Sequence, residues 1–333
     1  MGTHLIDTLG LDLVRTTEYA ALKVGRWLGL GDKRQTHLAA CNAMAEALAR
    51  INMDGCIVIG EEGRLGGHSA LDSGQQVGTG IGPSVDVIVD PIDGTASVVE
   101  GRSGAISVVA VAPRGSMWAP GPAAVYMDKI VVDREAAASL VPECMDAPAA
   151  WTLALVARAK KKPVRDLQVI ILDRPRHSDL IDEVRSAGAR VLLRSDGDTA
   201  GAMIAATPNI GADILMGIGG VPEGVTAACA VKAMGGAMLG RLAPQSPEER
   251  AAILEAGIDV NKILTCDEIV TSNEIFLAAT GITPGPLLDG VVYRGREALT
   301  HTLLMRSETG TRRFIRAEHS ISEDELDEKT GSW

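Results

Sequence analysis

Aromatic residues are scarce in this chain of 333 residues, since phenylalanine, tyrosine and tryptophan together make up only 3%. Stacking surfaces for single-stranded nucleic acid or for sugar rings are therefore not expected. Basic residues are outnumbered, and the formal net charge of −11 argues against a nucleic-acid partner, because a phosphate backbone needs a basic surface. An anionic substrate would need local compensation from metal ions or from clustered arginine and lysine side chains.

Long apolar runs and paired cysteines are also missing. No stretch reaches the length of a membrane span, and no basic segment followed by an apolar run predicts a signal peptide. The absence of a Cys-x-x-Cys pair favours reduced thiols, and we expect a cytoplasmic protein with no membrane partner. The widely separated cysteines are Cys41, Cys56, Cys144, Cys229 and Cys266.

The length and the pattern of apolar residues predict two domains. With 333 residues, 46% of them hydrophobic, the chain can bury a sizeable core. Prolines and lysines interrupt the pattern over 140–165, so we expect an N-terminal α+β domain over 1–150 and a C-terminal α/β domain over 151–320. Acidic residues dominate 321–333, which we predict to be a disordered tail.

Secondary structure follows from hydrophobic periodicity. Helices are predicted over 8–28 and 36–51, and strands over 56–59, 105–111, 123–126 and 130–132. In the second half, strand and helix alternate, which is typical of a parallel α/β unit. There we predict strands over 167–172, 190–193 and 214–216, and a helix over 178–187 with Gly188 just beyond it.

The most informative stretch is Asp90-Pro91-Ile92-Asp93-Gly94-Thr95, which follows an apolar run over 85–89. We predict that a buried strand ends at Asp90, that Asp93 and Gly94 turn, and that Thr95 begins a helix. Two carboxylates and a hydroxyl would then converge where a sheet opens, which suits hard cations and phosphate oxygens. A plain strand, turn and helix cap is the alternative.

Further carboxylates stand near other strand ends. Glu61 follows the predicted strand 56–59, and a second acidic group beside Asp90 and Asp93 favours a metal cluster. The glycine-rich run 217–224 is not a dinucleotide fingerprint, because Pro222 occupies the place of the third glycine. It is instead typical of a glycine turn before a helix, with Glu223 in the first helical turn either as a ligand or as a simple cap.

Basic and acidic turns in the second half could hold a phosphorylated sugar. Arg174 and Arg176 flank a proline, a geometry suited to gripping a phosphate, although a solvated basic turn is equally compatible. Asp196 and Asp198 could bind sugar hydroxyls or simply form a turn, and Tyr126 could add a hydroxyl near another strand.

Taken together, these runs resemble the class II fructose-1,6-bisphosphatases of bacteria, within the lithium-sensitive, metal-dependent phosphatase superfamily. The resemblance implies a layered α-β-α-β-α sandwich of the sugar/inositol phosphatase type, Mn²⁺ or Mg²⁺ as cofactor, and a homo-oligomer, a dimer or tetramer. The matching runs lie at 31–33, 58–61, 90–95, 126–129, 173–177, 195–198, 216–224, 279–283 and 304–307.

The resemblance also implies roles for individual residues. Catalytic roles fall to Thr95, Asp90 and Glu61, with Thr95 positioning the attacking water. The implied metal ligands are His37, Glu61, Asp90, Asp93 and Glu223. The implied substrate contacts are Lys33, Asp93, Gly94, Thr95, Tyr126, Arg174, Arg176, Asp196, Asp198 and Glu223.

Two departures from the family pattern affect the metal site. His37 stands where the family has a metal-binding aspartate, and imidazole suits Mn²⁺, Zn²⁺ or Fe²⁺ better than Mg²⁺. A histidine on a helix can also be a bystander. The segment after Glu61 lacks the acidic run of the family, and Glu62 is the nearest substitute for its second glutamate.

The sequence therefore predicts a metal-dependent phosphomonoesterase that removes the 1-phosphate of a ketose bisphosphate. Fructose 1,6-bisphosphate is the expected substrate, with sedoheptulose 1,7-bisphosphate next. The alternatives are a phosphatase of another phosphorylated sugar or inositol, and a degenerate homologue that binds sugar phosphates without turnover.

Overall fold

The computed structural model describes residues 9–62 and 68–321, so the predicted acidic tail from residue 322 onward lies outside the described part. The helices are α1 (Gly10–Gly25), α2 (Lys33–Leu48), α3 (Thr95–Val99), α4 (Ala149–Ala159), α5 (Ser178–Ser186), α6 (Asp198–Ala205), α7 (Val221–Met234), α8 (Pro247–Glu255) and α9 (Cys266–Ile269). Short 3₁₀ helices occur at Ala137–Ser139, Pro142–Met145, Val164–Asp166 and Pro175–His177.

The strands are β1 (Asp54–Ile59), β2 (Gln76–Val77), β3 (Ser84–Asp93), β4 (Ile106–Pro113), β5 (Tyr126–Val132), β6 (Gln168–Leu172), β7 (Arg190–Arg194), β8 (Ile214–Gly220), β9 (Ala237–Leu242), β10 (Leu264–Thr265), β11 (Phe276–Gly281), β12 (Val292–Arg294), β13 (Glu297–Arg306) and β14 (Thr311–Ser320). Two mixed sheets with helices packed on them confirm the α/β fold class. The five-layer order implied by the resemblance stays a prediction.

The chain divides into two compact units. Unit 1 comprises Met1–Gly115 and Glu274–Trp333, and unit 2 comprises Ser116–Asn273. The expected boundary at residue 150 instead falls inside α4 of unit 2. The C-terminal strands β11 to β14 return to unit 1, where β11 pairs with β4, a long-range contact that composition along the chain does not reveal.

Unit 1 is built on an eight-stranded sheet in the order β12-β13-β11-β4-β3-β1-β2, with β14 paired to β13. Its core lies between one face of this sheet and the helices α1 and α2, where Leu13 and Met44 pack with Val87, Val89 and Val109. Alternate residues of β3 and β4 enter this core because side chains alternate between the two faces of a strand. The other face is left for the intervening residues, including Asp90.

Helix α2 begins three residues earlier than its predicted start at residue 36. The Asp32 side chain accepts a hydrogen bond of 2.9 Å from the Gln35 N–H, which caps the helix at Lys33. Asp32 is thus the N-cap, and Lys33 is already helical.

Unit 2 contains a six-stranded sheet in the order β10-β9-β5-β8-β6-β7. Strand β6 pairs in parallel with β7 on one side and β8 on the other. The other pairs of this sheet, β5 with β8, β5 with β9 and β9 with β10, are antiparallel. The predicted parallel arrangement therefore holds for β6, β7 and β8, the strands expected over 167–172, 190–193 and 214–216, and the remaining strands of the sheet are antiparallel. Strands are predicted at 123–126 and 130–132, but the structure has one strand, β5, which begins only at Tyr126 and runs without interruption through Lys129.

Helices cover both faces of the sheet in unit 2. On one face, Leu153 of α4 and Val184 of α5 pack with Ile130 and Ile171 of the sheet. On the other face, the Met127 sulfur lies against Gly224 at the start of α7. Among the described helices, none is both long enough and apolar enough to cross a bilayer.

Candidate functional site

Glu61 and Asp90 lie near the same edge of the unit 1 sheet, Asp90 in β3 and Glu61 just past the end of β1. Strands β1 and β3 run parallel, and Ile59 pairs with Ile88 after an irregularity in the register. Glu61 and Asp90 each lie two residues beyond this pair, and both side chains are buried. Asp90 lies in β3 and Glu61 just past the end of its neighbour β1, so both acidic groups lie near the edge where β1 ends.

A bulge in β3 brings Asp93 to the same face as Asp90. Asp90 pairs with Val108 of β4 and Asp93 pairs with Ile106, so Pro91 and Ile92 together oppose the single residue between those two partners. Val108 and Ile106 are two residues apart and share a face, and cross-strand partners point the same way. Without the extra residue, side chains three apart would face opposite sides of the sheet.

The strand therefore continues past Asp90, which corrects the prediction that it ends there. Strand β3 runs to Asp93, and Gly94 then turns with a φ of 98°. Thr95 begins the short helix α3, as the sequence predicts, and its hydroxyl donates to the Ile92 carbonyl at 3.4 Å. Asp90, Asp93 and Thr95 are all buried in unit 1.

His37 contacts Glu61 directly. The His37 Nε2 lies 2.9 Å from the Glu61 Oε2, and the two side chains are only 6% and 1% exposed. Cys41 lies one helical turn after His37 on α2, and one donor atom from each of His37, Cys41 and Glu61 falls within 4.8 Å of the others. An imidazole nitrogen, a thiol sulfur and a carboxylate oxygen thus converge in a buried place.

Asp90 and Asp93 do not join a cluster as tight as that one. In residues 9–62 and 68–321, His37, Cys41 and Glu61 form the one group of three potential ligands with this 4.8 Å spacing. The carboxylate oxygens of Glu61, Asp90 and Asp93 are suitable ligands for a hard cation. The His37 nitrogen and the Cys41 sulfur are less suitable, because nitrogen and sulfur favour softer metals.

Lys33 shares a side of α2 with His37 and Cys41, because the three residues are spaced by four. It occupies the first helical position and is exposed, whereas His37 and Cys41 are buried. Its ammonium group is therefore available to an anion at the start of the helix. Glu62, the nearest substitute for a second glutamate, uses a carboxylate oxygen to accept a hydrogen bond from the Ser73 N–H at 2.5 Å.

In unit 2, Asp198 forms a buried ion pair with Lys129. The Lys129 side chain is 0% exposed and its Nζ contacts the Asp198 Oδ2. Burial raises the pKa of Asp198, and the Lys129 ammonium opposes that rise. Asp198 is the first residue of α6, as the turn over 195–198 predicts, but its carboxylate is held by a lysine rather than exposed to solvent.

Two glycines at the end of β8 make room for acidic side chains. A Cβ on Gly219 would lie 1.8 Å from the Asp198 Oδ2 and 2.6 Å from the Lys129 Nζ. A Cβ on Gly220 would lie 1.9 Å from the Glu223 Oε2. The predicted glycine turn is therefore wrong, because these glycines belong to β8, where they allow close approach. Pro222 and Glu223 lie in the first turn of α7, as predicted.

His177 ties the arginine-bearing turn to this same strand. Its Nε2 accepts a hydrogen bond of 2.8 Å from the Ile218 N–H, and its Nδ1 donates to the Leu172 carbonyl at 2.7 Å. Burial lowers the pKa of His177, and this bonding pattern fits the neutral imidazole. The turn after β6 is thereby fixed to the end of β8.

The two arginines of that turn are held in different ways. The Arg176 guanidinium lies 5.2 Å from the centre of the Tyr126 ring and donates to the Ile218 carbonyl at 2.9 Å. The Arg174 Nη2 lies 3.9 Å from the Asp196 Oδ1, at the upper limit of an ion pair. Arg176 remains exposed. The structure thus brings Tyr126 and Arg176 together, and Arg174 with Asp196, in unit 2.

Sequence reasoning did not assign Cys41, Lys129 or His177 to the site. Cys41 could have been found from its spacing of four after His37 on a predicted helix. Lys129 could have been found because a lysine inside an apolar strand needs a buried acidic partner. His177 has no such local signal, since its two partners come from different strands.

Comparison with known proteins matches nearly the whole chain. Residues 7–319 match the family model described as bacterial fructose-1,6-bisphosphatase, glpX-encoded. The chain belongs to this family. It is 38% identical over 327 residues to fructose-1,6-bisphosphatase 1 class 2 of Escherichia coli K12, covering 94% of this chain and 95% of that protein. Fructose-1,6-bisphosphatases class 2 of E. coli O6:H1 and of Shigella flexneri show the same identity and coverage.

The relatives' name describes a phosphoric monoester hydrolase, and membership of the class II fructose-1,6-bisphosphatase family makes this chain a protein of that enzyme class. Metal dependence fits the buried donor atoms of unit 1. Neither a specific metal nor the role of any one residue follows from the comparison.

Proposed function

We propose that this protein hydrolyses the 1-phosphate of fructose 1,6-bisphosphate with the help of Mn²⁺ or Mg²⁺. The observation that carries the proposal is the placement of Asp90 and Asp93 on one face of the unit 1 sheet, with Glu61 just past the end of the neighbouring strand β1. Such acidic groups at one sheet edge are suited to divalent cations. The family model and the relatives both carry the name fructose-1,6-bisphosphatase, which gives the same substrate for those proteins.

In unit 1, Glu61, Asp90, Asp93 and His37 would hold the metal. A bound divalent cation supplies positive charge that offsets the phosphate oxygens and makes water more acidic. Thr95, just past Asp93, is proposed to orient the attacking water through its hydroxyl, and Gly94 allows the turn that presents it. Lys33 is proposed to contact a substrate phosphate with its exposed ammonium group.

In unit 2, Arg174, Arg176 and Tyr126 are proposed to bind a phosphate, and Asp196 and Asp198 to bind the sugar. Support comes from the orientation of Arg176, whose guanidinium is fixed by the Tyr126 ring and the Ile218 carbonyl while staying exposed. A preorganised guanidinium loses little freedom when it binds an anion. The assignment of Glu223 as a metal ligand is also part of the proposal, as are a cytoplasmic location and a homo-oligomer.

Phosphate release from a substrate panel tests this function. With Mn²⁺ present, we expect fructose 1,6-bisphosphate to be hydrolysed faster than sedoheptulose 1,7-bisphosphate, and inositol 1-phosphate to be a poor substrate. If inositol 1-phosphate were hydrolysed fastest, the substrate would be another phosphorylated compound and not a ketose bisphosphate. Binding of the bisphosphates without phosphate release would identify a non-catalytic sugar-phosphate binder.

A pair of arginine variants tests the phosphate contact. Arg176→Ala should raise KM for fructose 1,6-bisphosphate by about 10- to 100-fold, because a charge-assisted hydrogen bond contributes about 1.5–3 kcal/mol. Arg190→Ala is the matched control, since Arg190 is exposed in the same unit and its guanidinium pairs with Asp166 at 3.0 Å. Equal KM values for the two variants would remove Arg176 from the substrate site.

A further inference from the structure

We propose that Cys41 is a metal ligand, and that His37, Cys41 and Glu61 form a nitrogen–sulfur–oxygen site that binds Zn²⁺, Co²⁺ or Fe²⁺ in preference to Mg²⁺. The inference rests on the proposed metal site of unit 1 and adds to it a ligand that neither the sequence motifs nor the relatives' names assign. It follows from the convergence of these three side chains.

The helix α2 presents two of the donors as a pair. His37 and Cys41 are four residues apart, so their side chains lie one above the other on the same side of the helix. Glu61 comes from the chain just beyond β1 and meets them there. A helix and the chain just past the end of a strand therefore bring all three donors together.

The spacing of the donor atoms suits one cation. The His37 Nε2 and the Glu61 Oε2 are 2.9 Å apart, and all three donor atoms lie within 4.8 Å of one another. Ligands bound tetrahedrally to zinc, with bonds of about 2.0–2.3 Å, are about 3.3–3.8 Å apart. The 2.9 Å separation lies just below this range and no separation in the set exceeds 4.8 Å, so small side-chain adjustments would bring the set to a common cation.

The chemistry of the donors selects the metal. Thiolate and imidazole favour zinc and other late transition metals, while Mg²⁺ requires oxygen ligands in a near-ideal octahedron. Three protein ligands also match the number found in catalytic zinc sites, where the fourth position stays open. A thiol loses its proton when it binds a metal, so loading this site with zinc should release a proton to solvent.

Burial strengthens the case for a bound cation. His37, Cys41 and Glu61 are 4%, 2% and 2% exposed. A buried carboxylate and imidazole lose their hydration, and a coordinated cation compensates both at once. The burial also limits access of water to the thiolate, which favours a stable metal–sulfur bond over oxidation of the thiol.

Cobalt substitution reports the metal–sulfur bond without any activity measurement. Chelator-treated protein titrated with Co²⁺ should develop the near-ultraviolet absorption of a thiolate-to-cobalt charge transfer. Cys41→Ser should lose this band and bind Zn²⁺ at least about tenfold more weakly, since even partners outside the metal's direct ligands change affinity 10- to 100-fold. Binding of Mg²⁺ should be unchanged in the same variant.

Cys144→Ser is the matched control, because Cys144 is equally buried at 2% exposure but lies in the core of unit 2. It should keep the cobalt band. Absence of the band in the unaltered protein, or its persistence in Cys41→Ser, would overturn the inference. Should Cys41→Ser not fold, X-ray absorption of the zinc-loaded unaltered protein decides, with a Zn–S distance of about 2.3 Å expected and an all-nitrogen-and-oxygen shell contradicting it.

The two proposals fail separately. Hydrolysis of fructose 1,6-bisphosphate without a sulfur ligand at the metal would retain the proposed function and remove Cys41 from the site. A sulfur ligand in a protein that releases no phosphate would retain the Cys41 assignment and overturn the proposed function.

Discussion

Asp90 and Asp93 face the same side of the unit 1 sheet although they are three residues apart along β3. The bulge at Pro91 and Ile92 accounts for this, since two residues there oppose one residue of β4. The Asp-x-x-Asp spacing is therefore a property of the bulge. It directs two carboxylates to one face from a strand that is buried from Val85 to Asp93, and not from a loop.

Replacing Asp90 with asparagine should lower phosphate release at least about a hundredfold, because it removes one charge from the proposed metal site while keeping the shape of the side chain. The circular dichroism spectrum should stay that of the folded protein. Asp86→Asn is the control, since Asp86 is also buried in β3 but lies near the Arg114 guanidinium, with Nε at 3.7 Å. Near-normal turnover in Asp90→Asn would show that the metal assignment is wrong.

Exchanging His37 for aspartate should raise activity with Mg²⁺ relative to activity with Mn²⁺, because it restores an oxygen ligand that suits the harder cation. In the metal-free protein the new carboxylate would lie beside Glu61, and repulsion between the two should lower the free energy of unfolding until a cation is added. Phosphate release measured with Mg²⁺ and with Mn²⁺, and unfolding curves recorded with and without added metal, test both effects. An unchanged Mg²⁺/Mn²⁺ ratio would make His37 a bystander.

The glycines at the end of β8 should respond differently to alanine. In Gly219→Ala the new methyl group would clash with the buried Asp198–Lys129 pair, so the variant should lose about 1–3 kcal/mol of stability together with activity. In Gly220→Ala the clash is with the end of the Glu223 side chain, which is only half-buried and can rotate away.

Gly220→Ala should therefore keep its unfolding free energy within about 1 kcal/mol while losing activity, if Glu223 is needed where it lies. Urea unfolding and phosphate release on both variants separate the two effects. Full activity in Gly220→Ala would mean that the position of Glu223 is unimportant for turnover.

Lys160 and Lys162 offer a comparison of two lysines around one carboxylate. The Lys160 Nζ is buried 2.6 Å from the Asp133 Oδ2 and 3.0 Å from the Asp213 Oδ1, and the Lys162 side chain is 40% exposed. Lys160→Met should cost about 3–5 kcal/mol, since it leaves a buried charge without its counterion. Lys162→Met should cost about 0–1 kcal/mol, as for an exposed pair. If urea unfolding showed that Lys160→Met and Lys162→Met lose similar amounts of unfolding free energy, this distinction would be wrong.

Acid should destabilise the protein partly through Asp213. Burial alone would raise the pKa of Asp213, but hydrogen bonds from Lys162, the Gln168 N–H and Lys160 outweigh it and hold the pKa below 3.8. The unfolded chain then takes up the proton first as the pH falls, so this stabilisation is present above pH 3.8 and is lost as the pH falls through the folded-state pKa.

Unfolding free energies measured from about pH 7 down to about pH 3 should fall less steeply in Asp213→Asn than in the unaltered protein. Asp166→Asn is the control, because Asp166 is an exposed carboxylate paired with Arg190. Parallel pH curves for the unaltered protein and Asp213→Asn would exclude Asp213 as a source of the acid sensitivity.

Local elements were predictable from the sequence where a local cause sets them. The helix start at Thr95, the helix over 178–187 with Gly188 after it, and Pro222 in the first turn of α7 all depend on neighbouring residues. The extension of β3 through Asp93 was not predictable, because pairing with β4 overrides the turn preference of its last residues. The antiparallel pairing of β5 with β8 and β9 was also not predictable, because it too depends on segments distant along the chain.

Much of the candidate site was predictable as a list of residues but not as an arrangement. Glu61, Asp90 and Asp93 could be proposed from their spacing along the chain, whereas the buried Lys129 beside Asp198 depends on strand pairing between distant segments. The composition break over 140–165 suggested a domain boundary, yet the compact units follow the pairing of β4 with β11.

That pairing also sets an order for folding on the ribosome. Strand β4 needs β11 at its free edge, and β11 is synthesised only after every residue of unit 2. The nascent chain must therefore carry an open sheet edge while the inserted unit is made, and open edges template aggregation. Premature termination before Phe276 should therefore give insoluble fragments. The first hundred residues should reach their native form only when translation continues through the C-terminal strands.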